Sequence, residues 1–310
     1  MADEPHPFSS LYEGRIMKFT LQSAHLTLEL CPPGAAYQGA RFDWSGQITQ
    51  LHYRKHSFCT TESLDLTWLH HAGRGLYNEF GIDTALGYVD CPVGEKFHKI
   101  GVGLLTRATA EPYRFAHLYP VDPAKFDVQR SEDRAVFTVT APTVRGYAYT
   151  LVKTISVLDT AVRIHYRLHN TGTKRIDTNE YVHHFLAVDH HPLNRDYTLR
   201  FSFDPEPATF GETVNVEGCV VFENNAMRWV GTPSEPFFFG AIHPPADTTQ
   251  AFWELGHEST GVAIRETVSF PPEKLNIWGT SHVVSPEIFY PIRLGPGEEC
   301  EWERVVEVLG

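Results

Sequence analysis

An all-β fold, a large antiparallel β-sandwich, is the class this sequence predicts, and three observations carry that prediction. Apolar and polar residues alternate with a period of two over several short runs. Turn-forming residues fall between those runs, and no 3.6-residue period is sustained over as many as about 12 residues. The clearest run is residues 147–169, YAYTLVKTISVLDTAVRIHYRLH, with a turn at Asp159-Thr160. In its second half Val162, Ile164, Tyr166 and Leu168 alternate with Arg163, His165, Arg167 and His169. That pattern is a strand with one face in a core and one in water.

Asn170-Thr171-Gly172 then supplies a turn, and a further strand is expected from Tyr181 to Val188. Residues 135–141, 197–203, 219–223 and 261–270 read as strands of the same kind. Residues 39–46, GARFDWSG, read as an early hairpin, and residues 77–105 as loop up to Gly94 and strand beyond it. The 21 prolines and 23 glycines lie mainly between these runs. So many antiparallel strands imply two packed sheets, with a concave face or rim left for a ligand. The turn-rich residues 205–218 are the best boundary candidate, yet strands of one kind flank them. One domain over residues 1–310 is therefore expected, with residues 1–14 a loosely ordered extension.

Composition excludes several functions. The chain has 310 residues, 42% of them hydrophobic, and a formal charge of −12. Binding nucleic acid or an anionic membrane needs clustered Lys and Arg, and no such run exists. The N-terminal MADEPHPFSS has neither the positive start nor the apolar stretch of a signal peptide. No stretch approaches the roughly 18 apolar residues of a membrane span. A soluble, cytoplasmic protein is expected, as a monomer or homodimer. The five cysteines, at 31, 59, 91, 219 and 300, are scattered singly and read as small apolar core residues. Of the 17 histidines, several are adjacent pairs (His70-His71, His183-His184, His190-His191) whose side chains point to opposite faces of a strand. With no HxH and no HExxH, no metal is expected.

The strongest chemical candidate is Glu287. It follows a proline and precedes Ile288, Phe289, Tyr290 and Ile292. A carboxylate among apolar neighbours is desolvated and its pKa rises towards neutrality. Two readings fit: a proton-transfer group, or a structural carboxylate that pairs with a buried Arg or caps a backbone turn. His183 lies in an apolar strand, NEYVHHFL, and opposed to such a carboxylate it completes an acid–base couple. A one-residue slip in register would exchange His183 for His184. To act together on a ligand, the two groups must face each other across a solvent-reachable cleft, and either side chain sealed in the core would overturn the assignment. Glu79, His98 and Lys99 are polar candidates between glycines. Arg41 can orient a hydroxyl-rich or anionic ligand or pair with Asp43, which would share its face on a strand. Trp278 reads as core, or as a platform stacking on a sugar ring.

The order of these features, GARFDWSG, then YVHHFLAVD, then SPE and LGPGEECEWERVVEV, resembles the galactose mutarotase-like (aldose 1-epimerase) superfamily over residues 35–308. The resemblance implies a supersandwich with a sugar cleft and no cofactor. It implies that the enzyme interconverts sugar anomers by ring opening and closure, with Glu287 taking the anomeric proton and His183 protonating the ring oxygen. On this reading Arg41, Glu79, His98, Lys99, Asn179, His184 and Trp278 bind substrate, with Asn179 and Arg41 falling where family members contact hydroxyls or phosphate. The Asn-His-Ser-Tyr-Phe-Asn signature of galactose mutarotases is absent, which argues against galactose itself. Two alternatives stand beside this reading: a carbohydrate-binding protein without turnover, and a different isomerase or lyase reaction run by the same pair.

Overall fold

The computed structural model describes residues 17–65, 67 and 70–310; the expected N-terminal extension, residues 1–14, lies outside them. Among the described residues there is no α-helix. Antiparallel strands form two ten-stranded sheets and one of three strands. The first large sheet has Leu76–Phe80, Ile176–His184, Val284–Leu294 and Leu275–Gly279 side by side at its centre. The second has Tyr149–Val157, Ala161–Asn170, Glu299–Leu309 and Val262–Val268 at its centre. The small sheet is Lys96–Lys99, Gly103–Thr106 and Val121–Pro123.

Alternation predicted the second sheet well. Ala161–Asn170 buries Val162, Ile164, Tyr166 and Leu168 and turns Arg163, His165 and Arg167 outwards. On that outer face Arg163 meets Glu303 at 3.4 Å, His165 meets Glu301 at 3.3 Å and Arg167 meets Glu299 at 2.8 Å. Exposed pairs of this kind are worth less than about 1 kcal/mol each, but their row is matched to one register. The inner face packs Trp302 between the rings of Tyr166 and Tyr290, each 4.8 Å away. Truncating such a side chain to Ala typically costs about 3–5 kcal/mol.

The first sheet is different because both its faces are covered. One faces the second sheet across the main core. The other carries a second, aromatic-rich core in which Tyr77, Phe185 and Val283 of the sheet and its loops meet Phe42, Phe97, Leu105 and Tyr113. Its central strands therefore lose the alternation: Leu76–Phe80 is buried at every position. This corrects two expectations. Residues 77–80 are a central strand rather than loop. Residues 39–46 form no hairpin, because their amides bond side chains or the carbonyls of Asn78 and Gly101 rather than each other. The Tyr37 hydroxyl accepts from the Arg41 and Phe42 N–H groups, and the Asp43 carboxylate accepts from Ser45 N–H at 2.7 Å. Arg41 and Asp43 consequently diverge, and Asp43 pairs with Lys153 in the main core.

Candidate active site

Period-two geometry assigns the central side chains to faces. Tyr181 stands opposite Glu79 on one side and Phe289 on the other. Asn276 stands opposite Glu287, and Trp278 opposite Ser285. Glu79, Tyr181, His183, Ser285, Glu287, Asn276 and Trp278 therefore share the face under the aromatic core, while Glu180 and His184 face the main core. The ladder between the Ile176–His184 and Val284–Leu294 strands runs to Tyr181–Phe289 and is taken up again by the Leu186–Val284 bridge. The same register places His183 opposite Glu287. Pro286, which has no N–H to donate, interrupts the ladder there.

The two groups touch. His183 Nε2 lies 3.3 Å from Glu287 Oε1, and His183 Nδ1 shares a hydrogen bond with Ser285 Oγ at 3.2 Å. Burial pushes the Glu287 carboxyl up to about 8, assisted by the charge of Glu79 and opposed by Arg41, Asn276 and Ser285. His183 is driven well below the ordinary imidazole range by burial first, then by Arg41 and His184. At neutral pH the proton rests on Glu287 beside a neutral imidazole. That ground state is the reverse of the expected one, in which Glu287 accepts and His183 donates. The reason is that Glu287 has no cation of its own. Arg41 donates through Nε to Glu79 at 2.8 Å and through an Nη to Tyr181 at 2.9 Å, and lies 3.6 Å from Glu62.

Glu79 is the hub of that neighbouring cluster. Lys99 Nζ reaches it at 2.7 Å, and also reaches the Gly81 carbonyl and the Tyr113 hydroxyl. Burial works against the Glu79 charge, but Lys99 and Arg41 outweigh it and hold the carboxyl below its ordinary range.

A cavity of about 320 Å³ opens above Arg41, lined by Tyr37, Phe42, Glu62, His71, Phe115 and His117 among others. Its lining stops at Arg41 and Phe42. Glu287 and His183 are 3% and 4% exposed, so the cleft expected between them is absent in this state. The Phe42 ring lies 5.6 Å from the His183 ring and belongs to cavity and pair alike. Trp278, half-buried, packs 5.4 Å from His183 instead of entering the main core.

Several expected contacts fall elsewhere. His184 faces the main core, bonded to Glu266 at 2.8 Å, and cannot touch a ligand on the other face. His98 bonds the Tyr147 carbonyl at 3.1 Å and packs on Tyr149, and burial lowers it to about 4. Lys99 and Glu79 are sealed, acting through Arg41 rather than lining the cavity. Asn179 lines a separate cavity of about 160 Å³ with Asp83, Asp177 and Glu273. Sequence reading missed Ser285, Asn276, Tyr181 and Phe42. For Ser285 a signal existed, since it lies two residues from Glu287 on the same face. Among the described residues no group of three or more His, Cys, Asp or Glu side chains could hold a metal ion.

No protein-family model and no curated protein matches the sequence. Solved structures do match its fold. A galactose mutarotase-like protein from Lactobacillus casei is similar over 94% of this chain and 100% of its own, at 16% identity and a TM-score of 0.58. The galactose mutarotase related enzyme from Lactobacillus acidophilus covers 95% and 98% at 10% identity, with a TM-score of 0.58. The aldose epimerase homologue from C. elegans covers 94% and 99% at 14% identity, with a TM-score of 0.53. The class of fold is thus a two-sheet antiparallel β-sandwich. In particular, it is the galactose mutarotase-like sandwich.

Proposed function

We propose that this chain is an aldose 1-epimerase-type enzyme that interconverts the anomers of a sugar or sugar derivative. The observation that carries the reading is the direct contact of Glu287, held protonated by burial, with a neutral His183. Such a couple holds one donor and one acceptor at neutral pH, which ring opening of a hemiacetal needs: a proton delivered to the ring oxygen and one taken from the anomeric hydroxyl. Rotation about the C1–C2 bond and reclosure then reverse both transfers and return the pair to its starting state. The neighbours of this fold, named as galactose mutarotase-like proteins and an aldose epimerase homologue, support the class of substrate.

The ring would enter through the cavity above Arg41, whose size is at the lower end of ligand pockets. Turnover then requires Phe42 and Arg41 to withdraw so that the ring comes between His183 and Glu287. Arg41, with Phe42 and Phe115 flanking its guanidinium at 4.5 and 4.4 Å, would contact the ligand first.

The sealing of the pair favours a second reading, sugar binding without turnover, and the same pair also suits another isomerase or lyase reaction. Polarimetry or NMR exchange on free aldoses, sugar phosphates and uronates separates them. The epimerase reading expects accelerated α–β exchange for at least one sugar. Tight binding with no acceleration for any of them overturns it.

A further inference from the structure

Two strands beyond the Glu287 strand, the sheet carries a bulge. Pairing between Phe237–Ile242 and Leu275–Gly279 shifts register between Phe239 and Ile242. Within the shift Ala241 has φ of 52°, a left-handed conformation that is costly for a residue with a Cβ. Gly211 makes room for it, since a Cβ there would stand 2.8 Å from the Ala241 Cβ, and Gly240 leaves space for the neighbouring Phe238 ring, 2.7 Å from where its Cβ would be. Bulges of this kind re-aim groups next to active sites.

What this one delivers is a main-chain donor: Ala241 N–H donates to Asn276 Oδ1 at 2.9 Å. With its oxygen engaged there, the Asn276 amide presents its NH2 away from the bulge. Asn276 is buried and stands directly opposite Glu287 in the ladder, where it works against the burial that raises the Glu287 carboxyl.

We propose that Asn276 is a positioning residue for Glu287, its amide fixed by the bulge at Ala241 so that its NH2 holds the carboxyl against His183. An NH2 can only donate, so it favours the ionised carboxyl and makes the Glu287 proton easier to release. The inference deepens the acid–base reading and rests on it. Its test reads ionisation directly, so an absence of turnover leaves it decidable.

The experiment is a carbon-13 NMR titration of the full chain with labelled glutamate carboxyls, the Glu287 signal assigned by its loss in Glu287→Gln. Asn276→Ala is expected to raise the Glu287 midpoint by about one pH unit, the usual worth of one hydrogen bond to a charged group. Asn276→Asp, which replaces the donor with a second negative charge, should raise it further. Ala241→Gly keeps the N–H and relieves the backbone, so the midpoint stays and the melting temperature does not fall. Should Asn276→Ala not fold, Asn276→Gln, one methylene too long to bridge both partners, takes its place. A folded variant with an unmoved Glu287 midpoint overturns the proposal, because a merely structural asparagine changes stability without changing that titration.

Discussion

His183 and His184 are neighbours on one strand, each beside a buried glutamate, yet their surroundings differ. On the main-core side, His184 lies 2.8 Å from Glu266, which also receives Arg304 at 3.0 Å, while Arg304 reaches Glu180 at 2.7 Å. Burial disfavours the Glu266 charge, but Arg304 and His184 outweigh it and the carboxyl stays below its ordinary range. On the other face, His183 lies 3.3 Å from Glu287, and the arginine that acts on that carboxyl, Arg41, is committed to Glu79. The same burial there leaves a carboxyl that holds its proton up to about 8. Burial is common to Glu266 and Glu287; the arginine beside Glu266 and its absence beside Glu287 separate them.

Removing the cation should break the first region most severely. Arg304→Met leaves Glu180 and Glu266 buried with no arginine, and the expected loss is about 3–5 kcal/mol in urea unfolding. A smaller loss would mean that the two carboxylates relax or protonate at little cost.

The second region should show its difference through pH. Glu287 moves from an ordinary 4.5 when unfolded to about 8 when folded, so the stability it confers is complete below about 4.5 and lost as pH rises through 8. Glu287→Gln, which stays neutral, lacks that slope. Relative to the wild type it should gain on the order of a few kcal/mol between these limits, read from urea midpoints at several pH values. His183 has the opposite sign. Its neutral form contributes fully above 6.5, and that contribution is lost on acidification towards its lower folded value. The smallest expected effect is at the entrance. Glu62→Ala frees one side of Arg41, should change stability by less than about 1 kcal/mol, and should speed amide exchange at Phe42.

The second sheet was legible in the sequence because it has one wet face: the alternation from Val162 to Leu168 survives in the fold. The first sheet's centre was legible only as apolar, since two cores cover it and the period vanishes. That is why residues 77–80 read as loop, and why His183 and His184 could not be told apart: both are buried. Glu287 stood out because Pro286 and its apolar neighbours are adjacent in sequence. Its protonation state did not, because the competitor for Arg41, Glu79, lies 38 residues from Arg41 and far from Glu287 in the chain. His98 and Lys99 were drawn in by local glycines, whereas their partners, Tyr147 and Glu79, are set by long-range packing.

The central claim is that Glu287, the buried carboxyl without its own cation, carries the chemistry. Its most direct test is α–β exchange by NMR on the best sugar of the panel, comparing the wild type with Glu287→Gln. The account expects the variant to fold and its rate to fall by about 10²–10⁴-fold, the usual contribution of a positioned acid or base. An unchanged rate in folded Glu287→Gln would contradict it.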